Sequence, residues 1–106
     1  MLTSDQWSTI KRLVDWLDST NGRSREEIGL RILKLTEEVG EAGQAWIGVQ
    51  GQNPRKGVTH TIADVQDELC DVIVTAAVAL ASISGEPEDV LAEKLAKIAA
   101  RSGAAT

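Results

Sequence analysis

The sequence predicts an all-α domain of four helices, and three observations support this. Capping signals precede four stretches in which apolar residues recur at helical spacing. No stretch shows the polar/apolar alternation that is typical of a half-buried strand. The 106 residues suffice for one domain with its own core, and the composition marks no second domain. We therefore expect a single four-helix bundle over residues 1–106.

The first helix should begin at Thr3, because Thr3 and Gln6 have the spacing of a capping box. Apolar residues follow at helical spacing to about Ser19, and the dipeptide Asn21-Gly22 is typical of a helix end. Since the chain has no Phe or Tyr, its core must be built largely from aliphatic residues. Two aromatic residues of this helix are interpreted as packing residues: Trp7 and Trp16.

The second helix should be the longest. Ser24 and Glu27 again have capping-box spacing, and the apolar period continues to about Gly48. From Gly48 to His60 the chain is rich in glycine and has no convincing period, which predicts a loop. His60, the only histidine, is interpreted as a structural or exposed loop residue.

The two remaining helices follow this loop. Thr61 and Asp64 predict the start of the third helix, and Gly85 predicts its end. Pro87 in a first-turn position opens the fourth helix. The tail from Ser102 to the C-terminus is expected to be frayed.

The third helix is apolar almost all the way round from Val72 to Ile83. A helix with this pattern must be buried on every side, and three other short helices give it little cover. We therefore expect a homodimer or homotetramer in which the third helix packs against a neighbouring chain. The alternative is a central helix in a monomeric bundle.

Composition and charge narrow the function classes. The net charge of -5 argues against a broad nucleic-acid-binding surface. A single cysteine excludes an internal disulfide and fits a reducing compartment. The first residues do not resemble a signal peptide, and the apolar run in the third helix is far shorter than the roughly 20 residues of a membrane span. We expect a cytoplasmic protein that binds neither nucleic acid nor membranes.

Two acidic pairs carry the chemistry of this sequence. Glu38 and Glu41 on the second helix, and Glu68 and Asp71 on the third, each have i, i+3 spacing, so both residues of a pair point to one side. If the two helices pack side by side, four carboxylates surround one point. Because their charges repel, a hard divalent cation is the expected neutraliser. Mg²⁺ is the predicted ion, and Mn²⁺ is a possible substitute.

The alternative is an acidic face that only contacts water, since glutamate is a good helix former. The second pair argues against it. On a helical projection Asp64, Glu68 and Asp71 form a stripe that continues into Thr75 and Ser82, beside the apolar face. A purely solvating face would not extend into the apolar half of a helix.

These motifs resemble a known family. The second helix carries Glu-Glu-x-x-Glu, and the third helix, after a loop, carries Glu-x-x-Asp. This pattern on the second and third of four helices resembles that of the all-α nucleoside triphosphate pyrophosphohydrolases of the MazG type. The resemblance extends from about Ile28 to Leu95. It implies Mg²⁺-dependent cleavage of a nucleoside triphosphate to a monophosphate and pyrophosphate, by an enzyme that is commonly a dimer or tetramer. Four residues match the metal ligands of the family: Glu38, Glu41, Glu68 and Asp71.

Three residues near these motifs are also given roles. Glu37 matches the extra glutamate of the motif and would orient or deprotonate the attacking water. Lys34, one turn before Glu38, can steady a phosphate or simply pair with that carboxylate. A thiolate is a poor Mg²⁺ ligand, so Cys70 inside the second motif is interpreted as a small buried residue.

Substrate contacts are predicted beyond the acidic motifs. The segment between Ala42 and Ala63 lacks acidic residues but carries Arg55 and Lys56, which can contact a triphosphate; the alternative is a plain polar connection. Trp46, about 12 Å along the helix from Glu38, can stack on a base or belong to the core.

Two other functions stay open from the sequence. One is a helical assembly or regulatory module whose acidic residues have no catalytic task. The other, within the enzyme class, is a phosphoribosyl-ATP pyrophosphohydrolase, which shares a similar fold and motif.

Overall fold

The computed structural model describes residues 2–103 and contains four α-helices, with no β-strand among these residues. The all-α, four-helix prediction is confirmed. The helices are α1 (Ser4–Asn21), α2 (Arg25–Gln50), α3 (Ile62–Ile83) and α4 (Pro87–Ser102). The last part of the predicted frayed tail, residues 104–106, lies outside the described residues.

Two of the three predicted capping boxes form completely. The backbone N–H of Gln6 donates to Thr3 Oγ1 (3.1 Å), and that of Thr3 donates to Gln6 Oε1 (2.8 Å). Asp64 and Thr61 exchange the same pair of bonds at the start of α3, at 3.2 and 2.8 Å. Each box satisfies two backbone donors that a helix start leaves free, which explains why α1 and α3 begin where the sequence predicts.

The third capping box is only half formed. Ser24 Oγ accepts from the backbone N–H of Glu27 (3.1 Å), but the Glu27 carboxylate does not return to Ser24. It accepts instead from Arg31 Nε on the next turn (2.7 Å). The Glu27 carboxylate, which the local motif predicts as part of the helix cap, therefore pairs with the buried Arg31 instead.

Three helix ends differ slightly from the predictions. α1 extends to Asn21, and α2 continues through Gly48 to Gln50, where Gly51 supplies the left-handed conformation (φ 62°) that ends a helix. α3 ends at Ile83, two residues before the predicted Gly85.

α3 is the central helix. It packs along α2, and it also contacts α1 and α4. α2 and α3 run antiparallel and form a hairpin, called here the α2–α3 hairpin, whose loop is residues 51–61. The buried core is small and lies between α1 and α3, where Trp7 and Ile10 pack against Ala77, with Leu80 and Leu91 at its edge. The predicted packing role of Trp7 is confirmed.

Trp16 contradicts the second packing prediction, because it is 62% exposed. The buried residues of α1 are Trp7, Ile10 and Val14. At about 100° per residue, Trp16 lies roughly 200° from Val14, on the opposite side of the helix.

The single chain is more extended than a compact domain. Its radius of gyration is 16.7 Å, against about 13 Å for a globular chain of this length. Large apolar residues of α3 remain exposed, among them Ile73 (56%) and Ile83 (61%). Within one chain α3 is therefore not covered on every side, although its composition is that of a buried helix.

Among the described residues, no single helix is long and apolar enough to cross a membrane. α3 and α4 meet the length and composition requirement only as a pair, and they are bent by 118° where they meet.

Candidate metal centre

The four predicted carboxylates meet on the inner side of the α2–α3 hairpin. One oxygen from each of Glu38, Glu41, Glu68 and Asp71 lies within 4.8 Å of those of the other three. The i, i+3 spacing turns each pair toward the opposite helix, and the antiparallel packing sets the two pairs face to face. We call these four residues the acidic centre.

Burial distinguishes the acidic centre from an ordinary acidic surface. The Glu38 side chain is only 13% exposed, and Glu68 is also partly buried. The Oε2 atoms of Glu38 and Glu68 are both buried and have no hydrogen-bond partner among the described residues. Since a buried acceptor without a partner is unfavourable, these two oxygens mark a place for a cation or another donor.

Electrostatics agree with the geometry. Burial, followed by the charges of Glu41 and Asp71, raises the pKa of Glu38, and nearby Lys34 offsets only part of this. Burial, followed by the charge of Glu41, also raises the pKa of Glu68. Both shifts show that ionising all four carboxylates together is unfavourable unless positive charge is added. A donor set made only of carboxylate oxygens suits Mg²⁺ or Mn²⁺.

Lys34 lies at the edge of the acidic centre. Its Nζ is 3.1 Å from Glu37 Oε1 and 3.9 Å from Glu38 Oε1. The bond to Glu37 is the main reason that the pKa of Lys34 is raised. Glu37 itself is exposed and lies outside the four-carboxylate group, so the structure places the predicted water-activating residue beside the centre.

Three predicted substrate contacts lie toward the loop end of the α2–α3 hairpin, beyond the acidic centre. Trp46 is half exposed on α2, next to the buried Ala45. Arg55 is exposed in the loop, where its backbone N–H donates to Asn53 Oδ1 (3.0 Å). Lys56 lines a polar cavity of about 310 Å³ at the loop end of the hairpin. The cavity is also lined by Gln44, Asn53, Thr59 and His60.

The loop end of the hairpin depends on a close approach at Gly48. The backbone N–H of Thr59 donates to the carbonyl oxygen of Gly48 (3.0 Å), and the Thr59 hydroxyl shares a hydrogen bond with His60 Nδ1 (2.8 Å). A Cβ on Gly48 would overlap the His60 ring, so only glycine fits here. Gly48 is thus a contact point between loop and helix, and the helix does not end there.

A second cavity, of about 300 Å³, lies on the other side of the acidic centre, between α1, α2 and α3. Its apolar wall includes Leu30 and Val78. Lys34 and Thr75, each one helical turn from the acidic centre, also line it. Glu27 and Arg31 line the cavity as well, whereas none of the four residues of the acidic centre does.

A second group of charges, which the sequence analysis did not single out, lies further along the hairpin around Arg31. This side chain is nearly fully buried. It donates to Glu27 Oε2 (2.7 Å), Asp18 Oδ1 (2.9 Å), Ser82 Oγ (3.1 Å) and the carbonyl oxygen of Gly22 (3.0 Å). We call Arg31 and these four partners the Arg31 network.

One sequence signal does point to Arg31. It lies three residues after Ile28 and four before Leu35, on the apolar stripe of α2. A charged residue on such a stripe must be paired if it is buried. Glu27 has i, i+4 spacing to Arg31, but the other partners come from α1 and α3, so the pattern reveals the burial and does not identify these distant partners.

Cys70 is exposed, which makes the prediction of a small buried residue wrong. It lies on the outer side of α3, away from the face that packs on α2, as does the exposed Leu69 before it.

No protein-family model, no curated protein and no solved structure matches this chain. The likeness to MazG-type enzymes therefore rests on the two acidic motifs and on the order of the helices.

Proposed function

We propose that the protein is a Mg²⁺-dependent pyrophosphohydrolase that cleaves a nucleoside triphosphate to a monophosphate and pyrophosphate. The acidic centre carries this proposal: two helices direct four carboxylates to one point, and two of their buried oxygens have no partner. An acidic surface with no task would not bury two unpartnered carboxylate oxygens beside other carboxylates.

The residues divide the chemistry between them. Glu38, Glu41, Glu68 and Asp71 would hold Mg²⁺ or Mn²⁺. A bound ion of this kind neutralises phosphate charge and activates water for attack at phosphorus. Glu37, which Lys34 holds at the rim of the centre, is the residue we propose to orient the water or accept its proton.

Two regions flank the acidic centre and suit a nucleotide. The apolar cavity beside Lys34 and Thr75 has room for part of a nucleoside. At the loop end, Arg55 and Lys56 supply positive charge for phosphates. Trp46, half exposed on α2, is available to stack on a base.

The active form is proposed to be a cytoplasmic homodimer or homotetramer with neither nucleic acid nor membrane as a partner. The extended shape of the chain and the exposed apolar residues of α3 support an assembly.

Light scattering at micromolar concentration should return a multiple of the chain mass. Val74→Glu should dissociate or unfold the assembly, because an unpaired buried charge costs several kcal/mol. A monomer mass for the unmodified protein would contradict the proposal.

The exposed apolar surface also fits a second candidate, a helical assembly or regulatory module without catalysis. Pyrophosphate release from a panel of nucleoside triphosphates, with phosphoribosyl-ATP included, separates the candidates. The enzyme should require Mg²⁺ and lose activity in Glu68→Gln. Release from phosphoribosyl-ATP alone would assign the narrower activity, and no release from any member would favour the module.

A further inference from the structure

The Arg31 network connects three parts of the chain. Asp18 and the Gly22 carbonyl belong to the end of α1, Glu27 lies on α2 itself, and Ser82 lies near the end of α3. Arg23 strengthens it by bonding both Asp18 (2.8 Å) and the backbone carbonyl of Ser82. The network thus crosses the open end of the α2–α3 hairpin, where no loop joins the two helices.

Stability alone does not account for this arrangement. An ion pair in a protein interior recovers little more than the cost of removing its charges from water, and apolar residues of similar volume often serve as well. What an arginine adds is a set of directional bonds. Its planar group bonds only partners at fixed positions, whereas apolar contacts tolerate sliding.

Directional bonds are especially useful on α3, because its surface does little to fix the register of α2 against it. From Val72 to Ile83 its only polar side chains are Thr75 and Ser82, and the others are aliphatic. Packing α2 on a surface this uniform discriminates weakly between one helical register and the next. The bond from Arg31 to Ser82 Oγ is satisfied in one register only.

The acidic centre requires that register. Its ligand atoms lie within 4.8 Å of one another, and sliding by one helical turn, about 5.4 Å, would exceed that span. Arg31 lies about 10 Å before Glu38 on α2, and Ser82 about 16 Å beyond Asp71 on α3. At the other end of the hairpin, the bond between Thr59 and Gly48 holds the loop. The acidic centre lies between these two attachments.

We propose that Arg31 is a positioning residue for the acidic centre: its bonds to Ser82 and Asp18 hold the open end of the hairpin in the register that brings the four carboxylates together. In this role Arg31 acts through the register of the helices. It also lines the cavity beside Lys34 and Thr75, so ion binding in the absence of nucleotide is the measurement that isolates the positioning role. The inference rests on the proposed function in taking the acidic centre to be a metal site, but its main test, ion binding, requires no catalysis.

Two variants weaken the network in different ways. Ser82→Ala removes the bond from Arg31 to α3, keeps the ion pairs of Arg31 with Asp18 and Glu27, and leaves the bond from Arg23 to the backbone of residue 82 in place. Arg31→Lys keeps the charge but loses the forked set of bonds. Ser8→Ala is the matched control for the first variant, because Ser8, like Ser82, bonds a carbonyl one turn earlier in its own helix but contacts no other helix through its hydroxyl.

Mn²⁺ binding to the full chain, measured by calorimetry, should weaken about tenfold or more in both network variants and stay unchanged in Ser8→Ala. Turnover of the variants should recover toward the unmodified value at high Mg²⁺ if the proposed function holds. A stability control comes from Ile10→Val in the core between α1 and α3, which should lower the melting temperature without changing the Mn²⁺ affinity.

The outcomes separate the two proposals. Unchanged Mn²⁺ affinity in Ser82→Ala and Arg31→Lys, with only a lower melting temperature, would overturn the positioning role. The same holds if Ile10→Val weakens Mn²⁺ binding as much as they do, or if the unmodified protein binds no Mn²⁺. Normal Mn²⁺ binding without pyrophosphate release would overturn the enzyme proposal alone and leave the effect of Arg31 on the ion site standing.

Discussion

Two groups of charged side chains lie along the α2–α3 hairpin, and they differ in how their charges are balanced. In the Arg31 network, Arg31 faces two carboxylates, Asp18 and Glu27, and makes four hydrogen bonds; the neighbouring Arg23 also bonds Asp18. In the acidic centre, four carboxylates face each other, and the nearest cation, Lys34, is 3.9 Å from one of them.

The pKa shifts of the two groups run in opposite directions. Burial favours the neutral form of Asp18, but its bonds with Arg23 and Arg31 outweigh that effect and lower its pKa. For Glu38 and Glu68, burial and neighbouring negative charge act together and raise the pKa. The charges of the network are therefore balanced within the chain, whereas those of the acidic centre could be balanced by a cation from outside it. The difference distinguishes a structural charge cluster from a candidate binding site.

The largest expected effect on stability comes from breaking the Arg31 network. Arg31→Met should lower the free energy of unfolding by about 3 kcal/mol, because it leaves Asp18 and Glu27 without their buried partner. The control is Lys11→Met, which breaks an exposed ion pair with Glu88 and should cost less than 1 kcal/mol. Urea denaturation measures both. Equal losses in the two variants would mean that the Arg31 network is no more than a surface pair.

Adding Mg²⁺ to the acidic centre should have the next largest effect on stability. Mg²⁺ at a hundredfold excess over its Kd should stabilise the protein by about 2.7 kcal/mol, a rise of order 10 °C in melting temperature. Glu68→Gln should remove much of this response and nearly all turnover, yet leave the metal-free protein at least as stable as before, because it relieves repulsion at similar volume. Thermal unfolding of both proteins with and without Mg²⁺, at matched ionic strength, gives the answer. Identical responses would exclude Glu68 as a ligand.

A smaller effect should appear as pH changes in the metal-free protein. Because the folded pKa of Glu38 and of Glu68 lies above its ordinary value of 4.5, the folded state binds more protons than the unfolded state between those two values. Stability should therefore rise as pH falls from 7 toward about 4.5. Asp18 behaves oppositely: its lowered pKa contributes stability above 3.8 that is lost as pH falls further.

Thermal unfolding in EDTA across pH 3 to 7 measures this profile. Glu68→Gln should flatten the rise above pH 4.5 and keep the loss at lower pH. Saturating Mg²⁺ should reverse the rise, since protons compete with the ion for the carboxylates. A metal-free profile that only falls with decreasing pH would contradict the raised pKa values.

Interactions that span three or four residues were predictable from the sequence. The capping boxes at Thr3 and Thr61 close within one turn, so residue types and spacing were enough to locate them. The acidic pairs have i, i+3 spacing, and the helical hairpin turns both inward. What the sequence could not supply was the burial of the two oxygens that lack partners, which depends on how the helices pack.

Structural features that depend on residues far away in the sequence were not predicted, or were predicted incorrectly. The carboxylate of Glu27 was assigned to a capping box, yet it bonds Arg31, whose other partners lie on α1 and α3. Gly48 resembled a helix end, but its glycine is required by the approach of His60 from the loop. In both cases a contact between elements decides between two conformations that the local sequence permits equally.

The smallest expected effect concerns the loop cations that would complement the acidic centre from the substrate side. Replacing Arg55 and Lys56 by Gln should raise KM for a nucleoside triphosphate about threefold to tenfold with little change in kcat, because exposed cations contribute modest, screened attraction to phosphates. Both side chains are exposed, but only Lys56 lines the cavity at the loop end of the hairpin, so the Lys56 variant alone should account for most of the change. The matched control is Lys94→Gln with Arg101→Gln on α4, which alters net charge equally at exposed positions. If both double variants raise KM to the same extent, net charge explains the effect, and if neither does, the loop is a plain connection. A rise confined to the loop variant, and weaker at high salt, would show that this part of the protein binds the phosphates.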